Sequence, residues 1–243
     1  MTHLHEIPIQ LQFYITSPYP CSYIPNLTAR SQVATPAHLV DTLVYSELIR
    51  NGFRRSGFYT YRPQCGECSA CVPVRVVVDE FAPNRTQRRV LKANAGMTVS
   101  IESPHYDPEH FALYQRYQAE RHAGGGMDHD DKDQYTHFLV ASQVESYLLV
   151  FRENDKVQMV SLIDRVADGL SAVYTFFNPD LSKRSLGVYN VLWQIDLAHQ
   201  LGVPYLYLGY WVADSRKMAY KQQYQPLQGF IDADWRTYST AQT

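Results

Sequence analysis

Long hydrophobic runs, an excess of charge of one sign, and cysteine beyond the first third are all missing from this sequence of 243 residues. The longest apolar run, Val203 to Ala213, is broken by Pro204 and Gly209 and falls well short of the ~20 residues of a membrane span. Nothing at Met1 joins a basic start to an apolar stretch, so no secretory leader is expected and the chain is expected to stay in the cytoplasm. Lys and Arg number 22 against 24 Asp and Glu, a net charge of −2, whereas proteins that coat duplex nucleic acid carry a strongly basic domain. Membrane and DNA are therefore not expected partners; a local phosphate-contacting patch is compatible with this balance. Repeats and low-complexity segments are absent too.

What is present is an ordinary globular mix, 45% hydrophobic and 19% charged, of a length that suits one or two domains. Tyrosine is abundant, 19 against 10 Phe, which suits half-buried sheet surfaces and stacking sites. In the first third, Ile7 to Ile15 reads as a strand, followed by a turn-rich stretch through Pro18, Pro20 and Pro25. Thr35-Pro36 reads as a helix start, with Leu39, Val40, Leu43, Val44 and Leu48 at helical spacing before the Asn51-Gly52 stop. Phe53 to Tyr61 and Val72 to Val78 read as strands around a cysteine loop, and Asn84 caps a basic helix ending at Ala95-Gly96. Asp107-Pro108 opens a helix closed by Gly124 to Gly126; the acidic stretch Met127 to Asp133 reads as a loop, and a short helix with Tyr135, Phe138 and Leu139 follows.

From Ser146 the pattern changes. Tyr147 to Phe151, Val157 to Ile163 and Leu170 to Phe177 read as strands joined by turns at Asn154-Asp155 and Ala167-Asp168-Gly169. A helix from Val188 to Leu201, a strand from Pro204 to Tyr210, and a helix capped by Asp214-Ser215 and running through Met218 and Tyr220 complete the order. This predicts a mixed α/β (α+β) fold in two parts, a smaller N-terminal α+β domain with the cysteine loop over 1–105 and a second domain over 106–243.

Between the last meander strand and its helix stands Lys183-Arg184-Ser185-Leu186-Gly187-Val188-Tyr189. A glycine there lets backbone pass close to a ligand, and free N–H groups at the helix start attract anions. The pattern R-x-x-G-x-Y resembles the pyrophosphate-binding turn of the acetyltransferase-type (GNAT) fold, with Tyr189 where a small residue is usual. Cys65, Cys68 and Cys71, together with the distant Cys21, offer four thiolates, enough for a tetrahedral zinc ion or an iron–sulfur cluster; reduced thiols packed in a small core are the alternative. Arg85, Arg88, Arg89 and Lys92 make one positive helix face, a candidate nucleic-acid contact, with a plain solvated surface as the alternative. Arg54, Arg55 and Arg62 flank Tyr59 and Tyr61, and guanidinium grips carboxylate or phosphate through two parallel hydrogen bonds. Lys217 and Lys221, four apart on the expected last helix, would project from one face.

Taken in order, several stretches resemble the arginyl-tRNA–protein transferases, most closely their bacterial branch, the aspartate/glutamate leucyltransferases. They are Gly52 to Gly57 with Tyr61-Arg62-Pro63, the cysteine loop with Cys21, Gln87 to Lys92, Leu170 to Phe177, Ser185 to Tyr189, and Lys217 to Lys221. The resemblance implies an acetyltransferase-like catalytic C-terminal half. It also implies transfer of leucine from leucyl-tRNA to the N-terminal amine of proteins that begin with Asp or Glu, marking them for degradation. No cofactor is required for that chemistry. Arg54, Arg55, Lys217 and Lys221 are then candidates to read the acidic side chain. Lys183, Arg184 and Gly187 are candidates for the phosphates at the tRNA end, and Tyr174, Tyr189 and Tyr220 for stacking on it. Asp164 would assist proton transfer, and Tyr189 is the other catalytic candidate. An open slot for amine and ester is expected in the C-terminal half. Two rival readings are an acyl-CoA-dependent N-acetyltransferase and a non-catalytic, metal-stabilised RNA-binding module.

Overall fold

A computed structural model describes residues 10–121, 131–215 and 217–238. The N-terminal part holds β1 (Gln12–Ile15), the short pair β2 (Tyr19–Pro20) and β3 (Thr28–Ala29), β4 (Ser31–Thr35), α1 (Thr42–Arg50), β5 (Arg54–Ser56) and β6 (Tyr59–Pro63). Strands β1, β4, β6 and β5, in that spatial order, form a four-stranded antiparallel sheet. Then come β7 (Val72–Val77), α2 (Arg85–Ala93), β8 (Thr98–Glu102), α3 (Pro108–Arg121), α4 (Lys132–Tyr135), β9 (Ser146–Glu153), β10 (Lys156–Val166) and β11 (Gly169–Phe177). The chain ends with α5 (Leu186–Gln200), β12 (Tyr205–Trp211), β13 (Leu227–Ile231) and β14 (Asp234–Thr237).

The larger sheet has eight strands in the order β14-β13-β7-β12-β11-β10-β9-β8. Its pairs are antiparallel except β11 with β12. The segment before residue 106 thus supplies the four-stranded sheet and also two strands of the large one. The central strands are covered on both faces, which is why they read as unbroken apolar runs rather than alternating ones. Leu149, Phe151, Met159 and Ile163 pack under α5, whereas Leu148, Val150, Val160 and Leu162 pack against Leu113 and Tyr114 of α3. A third cluster joins Tyr45, Leu48 and Ile49 of α1 to Val166 and Tyr207.

Several expected elements form as read. Asn84 and Gln87 make a reciprocal capping box on α2. Asn154 and Asp155 both take positive φ, 51° and 61°, as a two-residue hairpin turn requires. Gly52, at φ +82°, stops α1. Three expectations need correction. Asp41, not Thr35-Pro36, caps α1, its carboxylate accepting from the Val44 N–H at 2.9 Å; Ala37–Leu39 is only a 3₁₀ turn. Phe53 to Tyr61 is a hairpin, β5 turning into β6 at Gly57 (φ +57°). The segment after Asp214 forms a 3₁₀ helix, Ala219–Gln223, instead of an α-helix. Lys221 and Tyr224 both turn inward there, and a spacing of three suits three residues per turn. The expected stop at Gly124 to Gly126, most of the Met127 to Asp133 loop and the start of the first strand lie outside the described residues.

Candidate active site

Parallel strands β11 and β12 pair only over Gly169–Ser171 and Tyr205–Tyr207. Past that point β12 shifts register between Tyr207 and Gly209, a bulge on its β7 side. Arg54, projecting from β5, occupies the opening. Its Nη2 donates to the Val173 carbonyl of β11 at 2.7 Å. On the β12 side, Gly209 makes the room: at φ +72°, a Cβ there would stand 2.9 Å from the Arg54 Nη1. What remains is a cavity of about 10 Å³ lined by Arg54, Ser171, Gly209 and Tyr210 among others, space for one water at most. The expected slot is therefore not open: the Arg54 guanidinium fills it.

Lys221 lies beside this arginine. Its side chain is buried and its Nζ donates to the Tyr210 carbonyl on β12. Burial, helped by the Arg54 charge, lowers its pKa to about 7. Burial alone would lower the Arg54 pKa as well, but the phenols of Tyr61, Tyr23, Tyr45 and Tyr210 outweigh it and the net shift is upward. Among the described residues neither cation has a carboxylate at ion-pair distance. Buried charges are normally paired, because desolvation of an isolated one costs several kcal/mol. A guanidinium without a counter-charge, beside an amine that gains its proton near neutrality, makes a seat for an anion.

Other expected site residues have different fates. Arg55 cannot reach a substrate: it is buried and held by Asp164, itself fully buried, through Nε–Oδ2 at 2.9 Å and Nη2–Oδ1 at 2.5 Å. The same pair removes Asp164 from proton transfer. Tyr189 is turned into the core with its ring edge-on to Phe151 at 5.7 Å, so it neither stacks on RNA nor crowds a phosphate. Tyr174 is half-buried among Phe138, Tyr114 and Phe176. Arg184 is committed to Glu153 at 2.6 Å and to Asn94, tying α2 to the start of α5. Lys217 is exposed, and Tyr220 is 44% exposed.

Around the α5 start, Lys183 is exposed and Ser185, in the left-handed region, gives no side-chain cap. A Cβ on Gly187 would meet nothing nearer than a Phe177 ring carbon at 3.6 Å, so packing does not demand a glycine there. Arg85, Arg88, Arg89 and Lys92 are exposed on α2, whose Gln87 donates to the Gln223 carbonyl beside Lys221. One basic face thus borders both the α5 start and the wedge.

A cavity of about 520 Å³ lies between the small sheet, the cysteine loop and the β13–β14 turn. Cys21, Cys65, Cys68 and Cys71 all line it, unbridged, and so do Arg30, Arg62 and Tyr210. Arg62 donates to Gln32 at 2.8 Å and to the Asn51 carbonyl at 3.1 Å, and has no carboxylate partner among the described residues. Burial first, then the other three thiols, pushes the Cys71 thiol up to about 12. Four soft donors on one cavity are the donor set of a tetrathiolate zinc or iron–sulfur site. Among the described residues, however, no three ligand-type side chains are already gathered at metal-binding distances.

Family models carry this geometry to a known group. Residues 19–89 match the arginine-tRNA-protein transferase N terminus and residues 109–231 match its C terminus. The chain belongs to the arginine-tRNA-protein transferase family. Relatives named aspartate/glutamate leucyltransferase include one from Thiobacillus denitrificans, 60% identical over 96% of this chain and 98% of the relative. Another from Nitrosospira multiformis is 55% identical over 97% and 94%, and one from Chromobacterium violaceum 57% identical over 93% and 94%. A solved C-terminal domain of a putative lysylphosphatidylglycerol synthetase from Agrobacterium fabrum is a loose structural match, with a TM-score of 0.44, 15% identity, and coverage of 69% of this chain and 51% of that one. In arginine-tRNA-protein transferase terms, the N-terminal region brings Arg54, the four cysteines and the three α2 arginines. The C-terminal region brings β11, β12 and Lys221. The wedge is built where the two family regions meet. No helix among the described residues is long and apolar enough to cross a membrane.

Gly209 and Tyr210 are the residues that sequence reasoning missed. The signal was available for the first, since a lone glycine inside an apolar strand marks a bulge or a close approach. Tyr210 had no signal of its own: its hydroxyl donates to the Gly52 and Tyr61 carbonyls, both about 150 residues earlier in the chain.

Proposed function

We propose that this chain transfers leucine from leucyl-tRNA to the N-terminal α-amine of proteins beginning with Asp or Glu, which marks them for degradation. The observation that carries this reading is near-full-length identity of 60% to a relative of that name. Half-buried Arg54 and buried Lys221, with no carboxylate partner among the described residues, suit an acceptor that brings one. The C-terminal half would be acetyltransferase-like, with the β11–β12 divergence as its reacting cleft.

The chemistry asks little of a cofactor, because the donor is already an activated ester. An N-terminal amine titrates near ~7.7–8.0, so part of it is neutral and nucleophilic at pH 7. The protein has to hold amine and carbonyl together, which can supply several kcal/mol, up to roughly 7–11. In this reading the acceptor terminus enters the large cavity past Arg62, and its side chain draws the Arg54 guanidinium out of the wedge. The tRNA end runs along Arg85, Arg88, Arg89 and Lys92 to Lys183 and the uncapped start of α5, with the Tyr220 ring available for stacking. Cys21, Cys65, Cys68 and Cys71 would hold a structural zinc ion or cluster once the loop draws in. Metal and labile-sulfide analysis of protein purified without oxygen tests that part.

The decisive assay supplies charged leucyl-tRNA and peptides beginning with Asp, Glu, Asn or Lys. Efficient transfer to the first two alone is expected. Transfer to none ends the reading, and thiol release from acetyl-CoA with an amine acceptor would replace it with the acyl-CoA alternative.

A further inference from the structure

The wedge contains an amine for which acceptor recognition alone gives no use. Lys221 is among the largest fully buried side chains of the protein. The groups that face it are few. Arg54 comes from β5, Tyr210 presents its carbonyl from β12, and the Tyr220 ring of its own segment stands 5.9 Å from Nζ. Gln87 of α2 reaches only the backbone of Gln223. Among the described residues no carboxylate faces it. A lysine placed only to read an acidic side chain would be expected to keep its charge, whereas here Arg54 and burial both oppose that charge.

We infer that Lys221 is the proton carrier of the transfer, and that the acceptor's own acidic side chain turns it on. This rests on the leucyl-transfer reading. With no acceptor present, the neighbouring guanidinium and burial keep the amine poised near neutrality. A carboxylate paired with Arg54 offsets that positive field and raises the proton affinity of Nζ. The acceptor α-ammonium and Nζ then share one proton, and the carboxylate favours the arrangement with the proton on Nζ and a free amine. That amine attacks the ester carbonyl and the C–N bond forms. As the bond to the ribose oxygen breaks, Nζ gives its proton to that oxygen and takes the second proton from the attacking nitrogen. One proton is left over, and it passes to water when the product leaves. Tyr210 links the two regions: the residue lines the large cavity and its carbonyl accepts from the Lys221 amine.

The test is single-turnover transfer from pre-charged leucyl-tRNA at saturating peptide, for wild type, Lys221→Met and Lys221→Arg, from pH 6 to 9. General base catalysis contributes about 10²–10⁴-fold. Both variants, unable to cycle a proton, should therefore fall at least 100-fold below wild type at pH 6.5. The gap should narrow toward pH 9, where the α-amine is free without help. With wild type, an Asn-starting peptide at saturation should react at least 10-fold more slowly than its Asp counterpart; in Lys221→Met that difference should vanish. A ratio of wild type to variant that is flat across pH, or an Asp-to-Asn difference that survives in Lys221→Met, overturns the proposal. Wild type that transfers leucine to no peptide brings down the functional reading instead, so the two failures are distinguishable.

Discussion

Arg55 of β5 closes on Asp164 of β10 through two parallel hydrogen bonds, at 2.9 and 2.5 Å, and the Ser146 hydroxyl donates to the same carboxylate at 2.7 Å. The pair joins the small sheet to the large one at a point with no access to water. Burial alone would lower the Arg55 pKa, yet the Asp164 charge and hydrogen bonds outweigh it and the net shift is upward. Arg55→Ala leaves Asp164 charged and buried, which costs about 3–5 kcal/mol. Urea denaturation should show that loss, and Asp164→Ala a similar one. A variant Arg55→Ala of normal stability that had lost only the use of acidic peptides would show that Arg55 binds substrate after all.

Gly209 sets how deeply Arg54 enters the wedge. A side chain there meets the guanidinium at 2.9 Å and must also adopt φ +72°, a conformation that costs on the order of 1–3 kcal/mol for a non-glycine residue. Gly209→Ala should lower thermal stability modestly and raise the KM for Asp- and Glu-starting peptides, because the displaced arginine no longer waits in place. Affinity for deacylated tRNA, measured by filter binding, should change little. Equal losses in peptide and tRNA binding would indicate a general distortion of β12 rather than a specific loss of Arg54 geometry.

How far the sequence could be read follows from which interactions are local. The α2 capping box and the Asn154-Asp155 hairpin are decided within a few residues, and both were legible. So were β7 and β9 to β12 of the large sheet, whose two buried faces leave continuous apolar runs; β8, β13 and β14, short and partly exposed at its edges, were not. The roles of Arg54 and Arg55 were not legible, although they are neighbours. Strand geometry sends successive side chains to opposite faces, so one meets Asp164, 109 residues away, and the other meets Val173 and Gly209. Nothing in the local sequence says which arginine is spent on folding. Lys217 and Lys221 do not share the helix face that their spacing predicts: Ala219–Gln223 is a 3₁₀ turn, with Lys221 and Tyr224 buried and Lys217 exposed.

Lys221 should make stability depend on pH. Its pKa is near 10.5 in the unfolded chain and about 7 in the folded one, so folding disfavours its charged form. The destabilisation is therefore complete below pH 7, fades as pH rises from about 7 to 10.5, and is absent above. Wild type should gain stability between pH 6.5 and 9 from this group, by a few kcal/mol in order of magnitude. Lys221→Met should lack that gain and should unfold at higher urea than wild type at pH 6.5. Parallel pH dependences in the two proteins would mean that Lys221 keeps its charge when folded.

The α2 face makes a separable claim about RNA. Arg85, Arg88, Arg89 and Lys92 are exposed, and among the described residues no acidic side chain pairs with them. Such cations are worth little to folding, so replacing all four with Gln should leave the urea midpoint nearly unchanged. If they touch phosphates of the acceptor end, each contact releases counterions, and the slope of log K against log salt changes by roughly 0.7 to 0.9 per contact. The quadruple variant should then bind leucyl-tRNA more weakly at low salt, with a slope shallower by up to about 3.6 if all four touch phosphates. Peptide KM measured at saturating tRNA should stay the same under the proposed entry of the acceptor terminus through the cysteine cavity. An unchanged salt slope would move the RNA track away from α2 and leave Lys183 and the α5 start as the phosphate contacts to test next.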